Sequence, residues 1–300
     1  MPYDASAITQ PRVLLDGLAM CESARWHDGR LWFAHWGVGE IIAVDLEGHA
    51  EVVAAGPERL GWSIDWLPDG TLLVTGEELA RLEPDGTLTQ HADLSGVDAL
   101  GWNELVVDGR GNIYVNGMTF NFMAGEPPKP GVIALVTPDG QVRQVADGIE
   151  FPNGMVVTPD NRTLVIAESF AGRLTAFDIE DDGGLTNRRV WGDGLGPDSV
   201  CLDADGAIWV ESRDVQLFTG RDDAPGGEVL RVREGGEVLQ RIQHDRPIYS
   251  VALGGPDRRT LFMLASEWRG VEDVDAMLAA RSGQVLVWDP PVPAPGVGYP

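Results

Sequence analysis

The chain has 300 residues, with 47 Asp and Glu against 22 Lys and Arg and a formal net charge of −25. Nucleic acids and anionic membranes bind basic faces, so this charge argues against both as partners. It agrees with a soluble protein and with binding of cations. Hydrophobic residues make up 43% of the chain, enough for a buried core, and the 38 glycines and 20 prolines are natural for a fold of tight turns.

The N-terminal residues lack the basic and apolar regions of a signal peptide, and no apolar run approaches the roughly 18 residues of a membrane helix. The sequence therefore predicts a soluble, cytoplasmic protein. Its two cysteines, Cys21 and Cys201, cannot form the disulfide framework of a small secreted domain. Each lies beside an apolar strand, and both are expected to be buried free thiols.

In chain order, the first predicted element is a spare strand at Arg12–Leu15, ahead of the repeated part of the chain. The last repeat, which ends with the predicted strand Gln284–Trp288, has only three clear strands. We expect the spare strand to join this last unit and close a ring, because closure removes an exposed sheet edge. We predict one domain over residues 1–300, with a core over about 12–290. The Pro-rich tail at 291–300 cannot pair in a sheet.

Between these ends, one unit recurs six times: a turn of the Pro-Asp-Gly kind followed by an apolar strand. The turns end at Gly29, Gly70, Gly111, Asn161, Gly206 and Arg258, which gives separations of 41 to 52 residues. A period in the forties with several strands per unit is typical of a β-propeller blade. A β-sandwich also has many short strands but lacks this fixed internal order. The sequence therefore predicts an all-β fold, a six-bladed β-propeller.

The fourth unit shows the pattern most clearly. Its predicted strands are Met155–Val157, Leu164–Ala167 and Leu174–Phe177. Three insertions interrupt the regularity of the other units: 120–131, 221–227 and 267–283, the last with a possible short helix at Asp273–Ala280. Long loops on a rigid ring often determine specificity. These loops could equally be decoration.

Polar side chains precede the first strand of most units. The equivalent positions are Glu22, Trp62, Asn103, Asn153, Asp198 and Ser250. Since the first strands line the axis of a propeller, their starting ends converge on one mouth of the central channel. Four of these six positions hold Glu, Asn or Asp. Carboxylate and amide oxygens without His or Cys are what a hard divalent cation prefers, although any one Asn could simply serve a turn.

The second strand runs back to the same mouth and ends at His35, Gly76, Gly117, Glu168 and Ser212, with Asn116 one residue earlier in its blade. His35 and Glu168 are possible proton-transfer groups near the cation. They could equally be satisfied structural side chains.

Several motifs together resemble the senescence-marker-protein/gluconolactonase/luciferin-regenerating family over about residues 12–290. They are Phe151-Pro152-Asn153-Gly154 with Thr158-Pro159-Asp160, Gly196-Pro197-Asp198-Ser199, Cys21-Glu22-Ser23 with Trp26, and the segment 102–108 that begins Trp102-Asn103-Glu104. The resemblance implies a six-bladed propeller with one axial divalent metal, and many members of the family hydrolyse sugar lactones. It implies that Glu22, Asn153 and Asp198 ligate the metal and that Asp198 is also the general base. It places Asn103 beside the metal, directly or through water, in contact with substrate.

The sequence departs from the family pattern around these residues. Cys21 and Ser23 flank Glu22 where glycines are usual, and Ser199 follows Asp198 where glycine is common. Gly101 stands where sugar-lactone enzymes carry an arginine that holds substrate hydroxyls. Aromatic and apolar residues nearby make that side of the mouth less polar: Trp102, Phe120, Phe122 and Met123. These departures favour a substrate with fewer hydroxyl groups than gluconolactone.

The sequence thus predicts a metal-dependent lactonase or carboxylic ester hydrolase. The cation would polarise the carbonyl, and Asp198 or His35 would take a proton from water. Trp102, Asn121, His35 and Asn103 are the expected substrate contacts. The donors favour Ca²⁺ or Mg²⁺, with Mn²⁺ or Zn²⁺ also open. The alternatives are a non-catalytic metal-binding propeller and a propeller enzyme of different chemistry, such as a strictosidine-synthase-like condensation.

Overall fold

A computed structural model describes residues 10–212 and 226–296. Six four-stranded antiparallel sheets form a ring, which confirms the predicted six-bladed β-propeller. The first strand of the chain, β1 (Arg12–Leu18), belongs to the sixth blade. The first blade comprises β2 (Met20–His27), β3 (Arg30–Trp36), β4 (Glu40–Val44) and β5 (Ala50–Ala55).

The second to sixth blades repeat this order from the axis outward. The second has β6 (Ile64–Trp66), β7 (Leu72–Val74), β8 (Leu79–Leu82) and β9 (Leu88–Ala92), and the third has β10 (Gly101–Val107), β11 (Ile113–Met118), β12 (Gly131–Val136) and β13 (Val142–Ile149). The fourth has β14 (Pro152–Val157), β15 (Thr163–Glu168), β16 (Arg173–Ile179) and β17 (Leu185–Asp193). The fifth has β18 (Pro197–Leu202), β19 (Ile208–Ser212), β20 (Gly227–Arg233) and β21 (Glu237–His244), and the sixth has β22 (Ile248–Gly254), β23 (Thr260–Ala265) and β24 (Gly283–Trp288), followed by β1.

The N-terminal strand closes the ring as expected. β1 pairs antiparallel with β24, with Val13 opposite Leu286 and Leu15 opposite Val285. The structural strand runs to Leu18, three residues beyond the predicted end. Because one blade is built from both ends of the described chain, β1 covers the edge of β24 that would otherwise be open.

The repeated turns owe their sequence to backbone conformation. The last residue of each turn has a positive φ in all six units: Gly29 (77°), Gly70 (87°), Gly111 (83°), Asn161 (56°), Gly206 (77°) and Arg258 (62°). Glycine adopts this left-handed region without steric cost and asparagine tolerates it, which explains five of the six identities. Nothing in the structure explains why arginine occupies the sixth.

The hydrophobic core is divided among the spaces between neighbouring blades and does not form one central cluster. Six clusters of buried apolar side chains fill the six spaces between neighbouring blades. One of them joins β1 and β24 to the first blade through Leu18, Phe33 and Val285. Each sheet therefore buries both of its faces, and the packing holds the inner strands in fixed positions around the axis.

Each insertion follows the second strand of its blade, at the mouth of the central channel. The loop after β11 forms a 3₁₀ turn at Phe122–Ala124, and the loop after β23 forms another at Val271–Asp273, followed by the short helix α1 at Val274–Ala279, as expected. Of the third insertion, residues 221–225 lie outside the described part of the chain. In the described part, no helix is long and apolar enough to cross a membrane.

The tail after Trp288 forms no strand over its described residues, as expected, yet it is bound to the ring. The amide of Ala204 donates to Pro293 O, and that of Ala294 donates to Arg258 O. These bonds connect the tail to turns of the fifth and sixth blades. Both cysteines are free thiols, as predicted. Cys21 is buried, but Cys201 is only partly so.

Candidate active site

The inner strands are irregular where they enter the mouth. The pairing register with the second strand shifts between Trp102 and Leu105, between Pro152 and Met155, and between Pro197 and Val200. A corresponding shift follows Glu22. Such β-bulges re-aim side chains and are common beside active sites. Asn103, Asn153 and Asp198 are therefore each released from regular sheet pairing at the mouth.

Four polar side chains meet in the wall of one cavity of about 340 Å³. They are Glu22, Asn103, Asn153 and Asp198, from four different blades. Glu22 and Asp198 are each only 4% exposed, and Asn153 is 9% exposed. The side-chain Nδ2 of Asn103 lies 3.4 Å from Oδ1 of Asn153. The structure thus brings together the residues that the sequence singled out as ligands.

The other two positions of the predicted ring differ. In the sixth blade Tyr249, not Ser250, holds the register of Asp198, because Ile248 pairs with Ala265 and Val251 with Met263. The position predicted for this unit by comparison of the repeats is therefore wrong by one residue. Tyr249, and not Ser250, lines the cavity. Trp62 is fully buried in the cluster between the first and second blades and does not line the cavity.

The electrostatics at the mouth disfavour the ionised form of Glu22. Burial raises the pKa of Glu22 well above its ordinary value, and the charges of Asp198, Glu104 and Glu211 raise it further. Burial also raises the pKa of Glu104 to about 7, against the opposing effect of Arg25, whose Nη2 lies 3.4 Å from Oε2 of Glu104. The floor of the cavity is therefore an acidic site that a cation would stabilise.

The donors fit a hard divalent cation. Glu22 and Asp198 supply two charges that such an ion would balance, which offsets the cost of burying them. Asn153 and Asn103 supply amide oxygens, and the described lining of the cavity contains no His or Cys. Across the described ranges, no cluster of three or more His, Cys, Asp and Glu side chains suits a metal. Any cation here consequently depends on the amides, a set that suits Ca²⁺ or Mg²⁺ better than Zn²⁺.

His35 does not line the cavity. Its Nε2 accepts a hydrogen bond from the amide of Ala19 at 2.9 Å, so Nδ1 carries the proton and donates it to Glu40 at 2.9 Å. Burial lowers the pKa of His35, which favours this neutral form. The imidazole of His35 therefore links the first blade to the residue before it, Ala19. The arrangement does not support the expected contact with substrate or the expected proton transfer.

Glu168 is also committed to structure. It is fully buried and is bound by the guanidinium groups of Arg173 and Arg188, each at 3.1 Å, by the hydroxyl of Thr175, and by the amide of Glu150 at 2.9 Å. Burial alone would raise the pKa of Glu168, but the hydrogen bonds lower it below the ordinary value. Glu168 is thus an ionised structural carboxylate and not a proton-transfer group of the cavity.

Trp102 and Asn121 both line the cavity. Trp102 is 5% exposed, and its amide donates to Gly76 O at 2.7 Å. Asn121 caps the 3₁₀ turn that follows it, since its Oδ1 accepts from the amide of Ala124 at 3.0 Å. The apolar part of the wall combines blade residues with side chains from two insertions: Trp36, Leu60, Trp102, Phe120, Phe122 and Trp268. The insertions 120–131 and 267–283 therefore shape the cavity.

Sequence reasoning missed a set of serines that fixes the ligand positions. One residue after the ligand register, a serine hydroxyl accepts a backbone N–H from the next inner strand. The four bonds are Ile64 N to Ser23 Oγ (2.9 Å), Leu105 N to Ser63 Oγ (3.1 Å), Val251 N to Ser199 Oγ (3.1 Å) and Ala24 N to Ser250 Oγ (2.9 Å). The recurrence of Ser at this register in four units was the available signal. These bonds link neighbouring inner strands directly below the ligands.

Arg59 was also missed. It lies in the segment between β5 and β6, and its guanidinium approaches Gly101: a Cβ on that glycine would lie 3.7 Å from both Nη1 and Nη2. The guanidinium of Arg59 thus lies where a side chain longer than alanine at position 101 would extend. No sequence signal distinguished Arg59 from the other surface arginines.

Comparison with known proteins identifies the family. The model described as SMP-30/Gluconolactonase/LRE-like region matches residues 20–267. The chain belongs to this family. The resemblance drawn from the motifs is therefore confirmed, and the match spans all six inner strands of the propeller.

Three curated relatives show how the family varies. The chain is 29% identical to diisopropyl-fluorophosphatase of Loligo vulgaris over 175 residues, covering 51% of this chain and 55% of that protein. It is 28% identical to regucalcin of Danio rerio over 192 residues, covering 60% and 59%. It is 29% identical to lactonase drp35 of Staphylococcus aureus (strain MRSA252) over 150 residues, covering 46% and 44%. The chain spans about half the length of the curated relatives it matches.

Solved structures share the fold over nearly the whole chain. A luciferin-regenerating enzyme superposes with a TM-score of 0.77 at 18% identity, covering 96% of this chain and 98% of that one. A calcium-binding regucalcin from Agrobacterium tumefaciens superposes with a TM-score of 0.75 at 23% identity, covering 95% of both chains. At these identities the similarity shows the propeller fold alone. The relatives by sequence place the chain in a family of hydrolases and lactonases.

Proposed function

We propose that this protein is a metal-dependent hydrolase that opens lactones or cleaves carboxylic esters bearing few hydroxyl groups. The observation that carries the proposal is the meeting of Glu22, Asn103, Asn153 and Asp198 in one largely apolar cavity. Relatives named lactonase and gluconolactonase support the reaction type.

Glu22, Asn153 and Asp198 would hold one divalent cation, with Ca²⁺ the best match to the donors. When bound, such an ion acts as a Lewis acid that polarises a carbonyl oxygen and acidifies a water molecule. Asp198 would accept the proton of the attacking water. The amide of Asn103, which is less buried than Asn153, orients the carbonyl of the substrate.

The described serines at the mouth offer no activated covalent nucleophile. Ser23, Ser199 and Ser250 accept backbone hydrogen bonds between inner strands, and His35 points away toward Ala19 and Glu40. Within the described residues, these three hydroxyls thus lack the histidine base of a catalytic triad. Trp102 and its aromatic neighbours pack against the body of the substrate and exclude water from the reacting carbonyl.

A second candidate is hydrolysis of neutral phosphorus esters by the same site. One relative is named diisopropyl-fluorophosphatase, and the apolar wall around the four polar groups would accommodate small alkyl substituents. The two candidates differ in the electrophile presented to the water, carbon or phosphorus, and in the leaving group, an alkoxide for the lactone or ester and fluoride for diisopropyl fluorophosphate.

The test is pH-stat hydrolysis of aldonolactones, aliphatic lactones, simple esters and diisopropyl fluorophosphate, combined with elemental analysis of the purified protein. We expect turnover of the less hydroxylated lactones, loss of turnover with EDTA, and recovery with Ca²⁺ or another divalent ion. A protein that binds the ion tightly and hydrolyses none of these compounds would instead be a non-catalytic binding propeller.

A further inference from the structure

The cavity wall contains few charged side chains, and one of them is the positively charged Arg59. Among the lining residues that the structure describes, Glu22, Asp198 and Arg59 are the ones with a formal charge. A divalent cation would balance Glu22 and Asp198, and Arg59 would then be the remaining charge of this described set. This is unusual in a chain whose net charge is −25.

Arg59 is held in place by its backbone and the start of its side chain. Its carbonyl accepts hydrogen bonds from the amide of Gly37 at 3.2 Å and from Nε1 of Trp62 at 3.0 Å. Its Nε donates to Leu60 O at 3.1 Å. The position of the guanidinium over the cavity is therefore prepared by the fold.

The outer face of this guanidinium is available. Within residues 10–212 and 226–296, no carboxylate forms an ion pair with Arg59, and its two Nη atoms donate to no protein acceptor. Arg173 and Arg188, by contrast, are bound to Glu168. A guanidinium presents two parallel N–H donors that match the two oxygens of a carboxylate.

Resting on the proposed function, we propose that Arg59 binds a free carboxylate of the substrate, so that the protein acts on lactones or esters with an apolar body and a separate anionic group. Gly101, whose Cβ position lies 3.7 Å from the guanidinium nitrogens, is two residues before Asn103 on β10. Two residues of extended strand span roughly 7 Å. The carboxylate and the reacting carbonyl are thus separated by a short alkyl chain or one ring.

The experiment compares a γ-lactone that carries a carboxylate on a short alkyl chain with its primary amide, which has the same shape but no charge. For the wild-type protein we expect a KM about tenfold lower for the carboxylate, as a charge-assisted pair worth about 1.4 kcal/mol would give. Arg59→Met should raise that KM about tenfold with little change in kcat, and should affect the amide far less. Arg59→Lys should fall between the two.

Arg162→Met is the matched control, because Arg162 is an exposed arginine on the turn between β14 and β15, at the other end of the inner strand from the mouth. It should change neither substrate. Equal KM values of the wild type for the two compounds would overturn the carboxylate assignment and leave the lactonase proposal intact. So would an equal loss on both compounds in Arg59→Met, which would indicate a structural role.

A binding measurement distinguishes failure of the proposed hydrolase function from failure of the carboxylate assignment for Arg59. If the wild type hydrolyses no lactone or ester, calorimetric titration of the Ca²⁺-loaded protein with 5-phenylvalerate and its amide still tests Arg59. A preference for the carboxylate that Arg59→Met abolishes supports the inference, and the same affinity in wild type and variant overturns it.

Discussion

Asn103 and Asn153 come from adjacent blades and meet with Nδ2 of Asn103 3.4 Å from Oδ1 of Asn153. Their surroundings differ. The backbone carbonyl of Asn153 accepts from Nδ2 of the fully buried Asn116 at 2.7 Å, and its own Nδ2 lies 3.4 Å from Ser169 Oγ. Asn153 is thus fixed from behind, whereas Asn103 faces the cavity more openly. This difference assigns the two amides different roles.

Asn103→Ala should lower kcat on a lactone by about 10²-fold, the usual loss on removing one group that orients or stabilises the reacting oxygen. Metal affinity should change less than turnover. Asn153→Ala should instead weaken metal binding first. Calcium titration and steady-state kinetics on both variants check the ranking, and a reversed order would make Asn103 the ligand.

Glu22→Gln should have opposite effects with and without the cation. Burial and the charge of Asp198 oppose ionisation of Glu22, so the neutral amide should raise the melting temperature of the metal-free protein by about 2–4 °C, or about 1 kcal/mol. In the presence of calcium the variant should lose the ligand-induced stabilisation.

Asp198→Ala is the companion variant. It should also remove calcium-induced stabilisation and in addition abolish turnover, with little loss of fold. Thermal melts with calcium or EDTA provide the comparison. Full metal-dependent activity in Asp198→Ala would refute the axial site.

Gly154→Ala should disturb the site through the backbone. An added Cβ at Gly154 would lie 2.7 Å from Asp198 O and 2.9 Å from the Cα of Ser199, so β14 and β18 must separate. We expect a destabilisation of about 1–3 kcal/mol and weaker calcium binding. Gly96→Ala is the matched control, since nothing lies within 4 Å of its Cβ. Equal behaviour of the two variants in urea unfolding would show that the strands tolerate the separation.

Glu168→Gln should destabilise the protein by about 2 kcal/mol at pH 7, because it replaces a buried carboxylate that accepts charged hydrogen bonds. The folded pKa of Glu168 lies below its ordinary value of 4.5. Its contribution is therefore complete above about that pH and disappears as the pH falls through the folded pKa. Urea unfolding between pH 7 and pH 3 should show the wild type and the variant converging.

Glu237→Gln provides a surface comparison. Glu237 pairs with Arg233, and both side chains are 63% exposed. Such a pair contributes little, so this variant should match the wild type throughout. A constant difference between Glu168→Gln and wild type down to pH 3 would contradict the ionised buried carboxylate.

Deletion through Leu18 should prevent stable folding, because it exposes the edge of β24 and removes Leu18 from the cluster between the sixth and first blades. Val13→Asp, on an exposed side chain of the same strand (47% exposed), should be tolerated. Circular dichroism and size-exclusion chromatography test both. A deletion variant that stays monomeric and folded but is inactive would show that β1 serves the site rather than the ring.

The sequence by itself determined the repeat, the six blades, the closing strand and the four polar residues at the mouth. It could do so because turns and short strands are local: Gly70 or Asn161 is selected by the left-handed conformation of its own turn. Equivalent positions in the repeats then predicted that four polar residues lie at one end of the axis: Glu22, Asn103, Asn153 and Asp198. This comparison failed at Ser250, because the turn of the sixth unit reaches its left-handed residue, Arg258, one position later than in the second to fifth units.

Only the tertiary structure decided what those residues face. His35 and Glu168 hold the expected ends of their strands, yet hydrogen bonds from distant segments commit both to the scaffold. Arg59 reaches Gly101 across a blade boundary that no local pattern encodes. Strand identity follows from neighbours in sequence, whereas the partner of a buried polar side chain is set by packing between blades.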